Sequence, residues 1–259
     1  MQLTSRDNAI IREIRRLLGD AKERRESGLF VLEGGRLCGE AAQYAQVRTV
    51  LYTARGEEQY ASVLCSLRAS GAQMIEITEA LAKYIADTEH PQGVFCVCRM
   101  PQETTFVPRA DGRYLALENV RDPGNLGTII RTAEAFGIDA LLLSDGCCDV
   151  YNPKVLRGSM GGALRLPVVT VGEMPRAVES WNVQGLRTLA CVAEREATAL
   201  PQASLGAGCV CLIGNEANGL TAQTQACCTD RVTIPMNGRA ESLNAAVAAC
   251  IVMWELSKR

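Results

Sequence analysis

The chain has 259 residues, of which 47% are hydrophobic and 22% are charged. This balance is ordinary for a folded protein with a sizeable core, and it excludes wholesale disorder. No apolar run approaches the roughly 18–20 residues of a membrane helix, and the charged N-terminus lacks a signal-peptide block, so we expect a cytoplasmic protein with no membrane contact. The net charge of −2 excludes the strongly basic composition of many nucleic-acid-binding domains.

An amphipathic helix is predicted near the start of the chain. In residues 8–18, apolar side chains recur at positions i, i+4, i+7 and i+8, beginning with Ile10. The opposite face carries Arg12, Arg15 and Arg16. This face is either solvated or in contact with phosphates, and acidic residues in the same stretch leave both interpretations open.

Short apolar runs then alternate with helical stretches. Alternation of strand and helix is typical of a small α/β domain with a mostly parallel sheet, predicted here for residues 1–105. The polar stretch 100–112 contains two prolines and is predicted to be the linker. The predicted strands are 29–33, 47–53, 72–78 and 93–99, and the predicted helices are about 35–45, 57–69 and 79–87.

A second series of strands and helices follows in residues 113–259, so the predicted fold class is α/β throughout. The predicted strands are 113–118, 140–144, 166–171, 186–193, 209–214 and 230–236. Helices fit near 124–136, 153–163, 173–181, 221–227 and 241–257.

Twelve cysteines and a single histidine restrict the possible chemistry. No C-x-x-C pair occurs, so no metal site is expected, and the cysteines within apolar runs are predicted to be small buried hydrophobes. A Ser-His-Asp or Cys-His arrangement would need His90, which lies beside a proline in a turn-like segment. Histidine-based catalysis is therefore not favoured.

Three separated segments carry polar residues that point to chemistry. The first, LENVRDPGNLGTIIRTAEAFG, runs from a strand through a Pro-Gly turn into a helix, which puts Asn125 near the carboxyl end of the strand. Ligands of α/β sheets bind at such ends. Arg131 lies further along the helix, where its charge must meet water, an acid or a bound anion. The segment contains no G-x-G-x-x-G, so a dinucleotide-binding fingerprint is absent.

The second segment, VCLIGNEANGL, ends a buried strand at Gly214 and continues to Glu216. Glycine at a strand end lets a ligand approach the backbone, and Glu216 is expected to accept hydrogen bonds from a ligand or to orient Arg131. The third segment, VTIPMNGRAESLNAAVAACIVMWEL, leads into an apolar helix that suits a core or an interface, with Ser242 as its predicted N-cap. Asn244, in the first turn, needs a polar partner.

In order, spacing and flanking residues, the three segments together resemble the SpoU (TrmH-type) family of RNA ribose 2′-O-methyltransferases, within the SPOUT superfamily. The stretch NPKVLRGSMGGALRLPV also fits, so the resemblance covers about residues 113–259. The N-terminal residues S-RDN-IIREIRRL, K-ER and GLFVLEGGRL are similar, more loosely, to the RNA substrate-binding domain that often precedes this catalytic domain.

The resemblance implies an α/β catalytic domain with a parallel sheet and a C-terminal trefoil knot, S-adenosylmethionine bound in that knot, and a homodimer. Carried over by position, the residues that would line the methyl-donor pocket are Gly214, Ile234, Met236 and Leu243. The residues that would form the active site are Asn125, Arg131, Glu216, Ser242 and Asn244.

The implied reaction transfers a methyl group in line from a sulfonium to a ribose hydroxyl of structured RNA. Because arginine stays protonated in proteins, Arg131 is expected to bind the adjacent phosphate and to stabilise oxyanion charge, and not to act as a base. Ser242 and Asn244 would position the ribose or the donor. Glu216 would orient Arg131.

The two-domain layout favours ribosomal RNA over transfer RNA as the substrate. The alternatives that remain open are ribose methylation of transfer RNA, methylation of a base by a SPOUT enzyme, and a non-catalytic RNA-binding protein that kept the fold. A nicotinamide-dependent oxidoreductase is not favoured, because the glycine fingerprint is missing.

Overall fold

The alternation of strands and helices expected from the sequence is present in the computed structural model, which describes residues 2–102, 106–194, 196–206 and 208–258. The chain divides into two units, Met1–Gln102 with Tyr151–Leu164 and Glu103–Val150 with Arg165–Arg259. Residues 103–105 of the predicted linker 100–112 lie outside the described residues. The domain limits 1–105 and 113–259 stay predictions.

The N-terminal half of the chain follows the predicted order of elements closely. The predicted helix 57–69 is two helices, because Tyr60 leaves the helical conformation with φ −123° and ψ 33°. The elements are β1 (Gln2–Leu3), α1 (Ala9–Gly19), α2 (Ala21–Ser27), β2 (Leu29–Glu33), α3 (Gly35–Tyr44), β3 (Gln46–Tyr52), α4 (Ala54–Gln59), α5 (Ala61–Ala69), β4 (Gln73–Ile77), α6 (Glu79–Ile85) and β5 (Val94–Arg99).

The sheet of the first unit has the strand order β1-β4-β3-β5-β2. Four of its five strands run in the same direction, so the prediction of a mostly parallel sheet is confirmed, and β5 alone is antiparallel to both of its neighbours, β2 and β3. The strand β5 starts at the edge where β3 ends: Tyr52 is paired with Val94, and the Thr53 N–H donates to the Gly93 carbonyl over 2.9 Å.

Both faces of this sheet are covered by apolar side chains. Phe95 and Val97 of β5 belong to the cluster that includes α1 and α6, whereas Val94 and Cys96 belong to the cluster that includes α3 and α5. Alternate residues of one strand thus enter opposite cores, as the two-residue period of a strand requires. The first unit is a three-layer α/β/α arrangement.

The C-terminal half also has the predicted order, with one interruption and with two unpredicted short elements, a strand at Thr198–Ala199 and a 3₁₀ turn at Leu200–Gln202. The predicted helix 153–163 breaks where Met160 and Gly161 adopt left-handed φ values of 53° and 93°. The elements are β6 (Arg113–Leu117), α7 (Pro123–Ala135), β7 (Ala140–Ser144), α8 (Pro153–Ser159), α9 (Gly162–Arg165), β8 (Val168–Gly172), α10 (Met174–Val183), β9 (Arg187–Cys191), β10 (Thr198–Ala199), a 3₁₀ turn (Leu200–Gln202), β11 (Cys209–Ile213), α11 (Ala222–Cys227), β12 (Asp230–Thr233) and α12 (Ala245–Ser257).

The sheet of the second unit has the order β10-β12-β9-β11-β6-β7-β8, and every recorded pairing in it is parallel. The predicted parallel sheet is therefore confirmed for this unit. Every residue of the strands β7 and β11 is buried, which is typical of central parallel strands covered by helices on both faces. Parallel strands bring their following loops to a single edge, where the site described below is located.

The start of the last helix differs from its prediction. Asn244, and not Ser242, is the N-cap of α12: its Oδ1 accepts hydrogen bonds from the backbone N–H groups of Ala246 (2.9 Å) and Val247 (3.2 Å). Serine and asparagine are comparably good N-caps, so residue type alone does not separate the two positions. In the described part of the chain, no helix combines the length and the apolar character needed to cross a bilayer.

Leu212→Ala tests the buried centre of the second sheet. Leu212 is fully buried in β11, so we expect the free energy of unfolding to fall by about 2–5 kcal/mol. Both tryptophans of the chain, Trp181 and Trp254, belong to the second unit, so tryptophan fluorescence in a urea titration reports its unfolding. The control Val183→Ala changes a side chain that is 90% exposed and should stay within about 0.5 kcal/mol. Equal losses for the two variants would contradict this assignment of the core.

Candidate active site

A cavity of about 350 Å³ lies in the second unit, over the carboxyl ends of β9, β11 and β12. Its walls come from the loops that follow these strands and from the start of α12. Six of the nine residues predicted to form the site line this cavity: Gly214, Glu216, Ile234, Met236, Ser242 and Leu243.

A chain of two hydrogen bonds, here called the amide relay, joins the three sequence segments beside this cavity. The Asn125 Nδ2 donates to Glu216 Oε1 over 2.8 Å, and the Asn244 Nδ2 donates to Asn125 Oδ1 over 3.0 Å. These residues are 91 and 119 positions apart in sequence. The relay therefore brings the predicted residues Asn125, Glu216 and Asn244 together.

The loop after β11 is held by backbone contacts. Asn215 and Gly219 exchange both N–H···O=C bonds, over 3.0 and 2.9 Å, and close a tight turn. A Cβ added at Gly214 would lie 2.1 Å from the Leu220 nitrogen, which no side-chain movement can relieve. The sequence explains glycine at this position by the close approach of a ligand to the backbone. The structure adds a second reason, the close packing of the loop on itself.

Sequence reasoning missed Glu118, a buried carboxylate at the end of β6. It accepts hydrogen bonds from the Thr221 N–H (2.7 Å), the Thr221 hydroxyl (3.0 Å) and the Thr224 hydroxyl (2.5 Å). These bonds connect the end of β6 to the segment that follows the β11 loop. An acidic residue directly after a buried apolar strand was the available signal, because a buried charge requires such partners.

A second contact connects the same two strand ends. Asn119 has a left-handed φ of 57°, and its carbonyl accepts a 2.8 Å hydrogen bond from the Asn215 side chain. Its N–H donates to the Ser144 hydroxyl over 2.9 Å, so the unusual backbone conformation is supported on both sides. Asparagine tolerates this conformation better than most residues.

Arg131 is exposed on α7 and, among the described residues, has no hydrogen-bond or ion-pair partner. The expectation that Glu216 orients Arg131 is not supported, since the described contacts of the Glu216 carboxylate are with the side-chain amides of Asn125 and Asn215. The guanidinium is therefore available to an external anion.

The titratable groups around the cavity include a thiol. Cys191 lines the cavity wall, and burial raises the pKa of its thiol to about 11, so it stays protonated at neutral pH. All twelve cysteines are free, and five of them are buried: Cys38, Cys96, Cys98, Cys209 and Cys211. Within the described ranges, no three histidine, cysteine or acidic side chains are grouped as metal ligands would be.

The cavity lies over the carboxyl ends of a parallel sheet and is lined by the loops that follow the strands, one of which contains the tightly packed Gly214. Cavities in this position are typical of α/β domains that bind small molecules. Comparison with known proteins narrows this class. The family model described as the SpoU rRNA Methylase family matches residues 112–254, and a model described as an MRM3-like substrate binding domain matches residues 8–96. The chain belongs to the SpoU rRNA methylase family.

Similar proteins match over nearly the full length. The chain is 33% identical to the 23S rRNA (guanosine(2553)-2′-O)-methyltransferase RlmP of Bacillus subtilis, with 98% of each chain covered. It is also 33% identical to a 23S rRNA (uridine(2479)-2′-O)-methyltransferase of Streptomyces viridochromogenes, with 98% of this chain and 91% of the relative covered. The crystal structure of an AdoMet-bound rRNA methyltransferase from Sinorhizobium meliloti is 28% identical, with a TM-score of 0.88 over 100% of this chain and 97% of the other.

Two substitutions at Asn244 separate its capping role from its role in the relay. Asn244→Ala removes the cap and should lower the free energy of unfolding by about 0.5–2 kcal/mol. Asn244→Asp keeps an equivalent cap, with a negative charge that the helix N-terminus favours, but it has no N–H to donate to Asn125. We expect native stability and at least a roughly tenfold lower methyl-transfer turnover for Asn244→Asp, which is the loss of about 1.4 kcal/mol of transition-state stabilisation. Urea unfolding and single-turnover assays measure the two quantities, and full turnover would exclude the relay from the reaction.

Proposed function

We propose that this protein transfers a methyl group from S-adenosylmethionine to a ribose 2′-hydroxyl of ribosomal RNA. The observation that carries the proposal is the amide relay, which unites the polar residues of three distant segments at the edge of the cavity. The matched relatives from Bacillus subtilis and Streptomyces viridochromogenes are named as 2′-O-methyltransferases of 23S rRNA. Ribosomal RNA is therefore favoured over transfer RNA.

The cavity fits S-adenosylmethionine in size and in charge. Its volume of about 350 Å³ is at the lower end of the range for sites that enclose a small molecule. The described partners of the Glu216 carboxylate are neutral amides, so its negative charge is not neutralised in the described part of the chain and favours a cation. When bound, S-adenosylmethionine supplies a methyl group on a positively charged sulfur. Gly214, Ile234, Met236 and Leu243 would hold it.

The reacting hydroxyl is a poor nucleophile at neutral pH, and Arg131 is proposed to help it. A guanidinium stays protonated, so Arg131 binds the neighbouring phosphate with its planar fork and stabilises the negative charge that develops on the ribose oxygen as its proton leaves to solvent water. Its exposure and its lack of a partner among the described residues support this role.

Ser242 and the relay are proposed to position the substrate. Ser242 is exposed and lines the cavity, and its hydroxyl can donate to or accept from a ribose. Asn125 has both amide atoms occupied, which holds the relay in a single arrangement. Glu216 is proposed to orient Asn125. Such positioning can contribute roughly 7–11 kcal/mol in favourable cases.

The family resemblance also implies a trefoil knot, which we propose for the segment after β12. Two observations support it: β12 lies beyond β9 toward one edge of the sheet, whereas α12 contacts α7, β6 and β11 near the centre. Between these two elements, Ile234, Met236, Ser242 and Leu243 line the same cavity as the loop 214–220.

The twelve free thiols fit a reducing compartment, and we propose the cytoplasm as the location.

A homodimer is proposed through an apolar stripe on α12. Val247 and Trp254 lie seven residues apart on one helix face, are 48% and 51% exposed, and have the partly buried Ile251 between them. Large apolar side chains exposed in a row are typical of an interface.

The activity test uses the purified protein, S-adenosylmethionine and in vitro transcribed bacterial 23S rRNA, with transfer RNA as a parallel substrate. Mass analysis of the nucleosides distinguishes a 2′-O-methylated ribose from a methylated base. We expect ribose methylation of the 23S rRNA. A methylated base, or donor binding without transfer to either RNA, would overturn the proposal.

Arg131→Lys keeps the charge but loses the bidentate fork, so we expect it to lose most of the turnover, by about 100-fold, which is a loss typical of removing one donor to an oxyanion. Calorimetric titration should show unchanged affinity for S-adenosylmethionine. The control Arg176→Lys changes an exposed arginine of the same unit that pairs with Glu173, and it should be fully active. Near-normal turnover of Arg131→Lys would exclude the bidentate role.

Val247→Glu/Trp254→Glu tests the dimer, because a buried interface cannot accept two uncompensated charges on each copy. We expect a monomer mass in sedimentation velocity, against a dimer for the unmodified protein. Val183→Glu, at a valine that is 90% exposed on α10, is the matched control and should leave the mass unchanged. A dimer that survives the double substitution would put the interface elsewhere.

A further inference from the structure

A second cavity, of about 430 Å³, lies in the first unit and is formed by basic and aromatic side chains. Its lining is Ala9, Arg12, Arg15 and Arg16 of α1 and Tyr84 of α6. We propose that this arginine–tyrosine cluster, together with Arg6, binds the sugar-phosphate backbone of the RNA substrate. The inference rests on the proposed function, because it assumes that the substrate is RNA.

The helix α1 directs its arginines away from the core. Ile11, Ile14 and Leu17 are fully buried, so the opposite side of the helix faces solvent. Arg12 and Arg15 are both exposed and three positions apart, which puts their Cβ atoms roughly 5–6 Å from each other. The cluster is thus a fixed surface on a rigid helix.

Tyr84 organises two of the guanidinium groups. The guanidinium carbon of Arg6 lies 4.6 Å from the centre of the Tyr84 ring, and that of Arg15 lies 4.5 Å from it. Arg15 also donates from Nη1 to the Tyr84 carbonyl over 2.7 Å. These contacts orient the guanidinium planes but leave their positive charges in place.

The acidic side chains of α1 and α2 pair with basic residues other than Arg12 and Arg15; Glu26, for example, pairs with Lys22 over 3.7 Å. Glu13 pairs with Arg48, and Glu23 pairs with Arg16 over 3.5 Å. Among the described residues, Arg6, Arg12 and Arg15 therefore have no carboxylate partner. A solvated helix face normally intersperses both signs of charge, so this concentration of unneutralised positive charge points to an anionic ligand.

Two properties favour RNA over an acidic peptide as this ligand. Planar guanidiniums bind phosphate oxygens in pairs, and a tyrosine ring with stacked arginines presents flat surfaces on which an unpaired base can stack. The net charge of −2 provides no general attraction for a polyanion, so affinity must come from a local cluster of this kind. The matched substrate-binding model, residues 8–96, contains Arg12, Arg15 and Tyr84.

The test compares Arg12→Gln/Arg15→Gln with Arg55→Gln/Arg68→Gln in the full chain. The control pair lies on α4 and α5, is exposed, and removes the same charge from the same unit. The helix α5 packs in the apolar cluster on the other face of the sheet from α1. The probe is in vitro transcribed 23S rRNA, titrated by filter binding at several salt concentrations.

We expect the cluster variant to bind this RNA about tenfold more weakly at physiological salt, and its plot of log affinity against log salt to become shallower by about 1.4–1.8, the loss of two phosphate contacts. Tyr84→Leu should weaken binding about fivefold with little change in the slope, because stacking does not displace counterions. For both variants KM for RNA should rise, while kcat at saturating RNA and the affinity for S-adenosylmethionine stay unchanged.

Unchanged RNA affinity and salt slope in the cluster variant would overturn the inference. The inference would also be overturned if the unmodified protein captured an acidic protein, and if the cluster variant lost this capture but kept its affinity for RNA. The ligand of the cluster would then be a protein. Failure of the proposed function gives a different result, in which the unmodified protein binds the RNA through the cluster but transfers no methyl group to it.

Discussion

The arrangement of the site depends on the direction of the two hydrogen bonds in the amide relay. A carboxylate accepts only, so Glu216 requires the Nδ2 group of Asn125 on its side. The Oδ1 of Asn125 is then left for the amide of Asn244, whose own Oδ1 is occupied by the first turn of α12. Each amide orientation follows from the one beside it, so the helix cap and the carboxylate define one arrangement for all three segments.

The relay is supported by the way the strand ends are joined. The buried Glu118 binds the backbone and hydroxyls that follow the β11 loop, and the Asn215 side chain binds the carbonyl of Asn119. Close backbone packing at Gly214 leaves no room for a side chain in the turn. These contacts hold the end of β6 and the loop after β11 in a fixed relation, and Glu216 belongs to that loop.

The two units present different charges, and the proposed RNA-binding cluster would let a chain with a net charge of −2 bind a polyanion. In the second unit the cavity presents a carboxylate that suits a cationic donor. In the first unit the arginine–tyrosine cluster presents positive charges without carboxylate partners among the described residues. Affinity for RNA then depends on local geometry and on salt more than on overall charge.

The sequence by itself determined the class of each element and the three segments of the site. The buried strands β7 and β11 and the amphipathic helix α1 were predictable, because apolar periodicity and long apolar runs reflect burial directly. Only the tertiary structure decided the direction of β5, because a short helix precedes both the antiparallel β5 and the parallel β12, so helix length does not distinguish the two cases. It also decided the partners of Asn125, because Glu216 and Asn244 lie 91 and 119 positions away from it in sequence. The local pattern of apolar residues predicts which residues are buried. Hydrogen bonds between distant segments form only once the chain has folded.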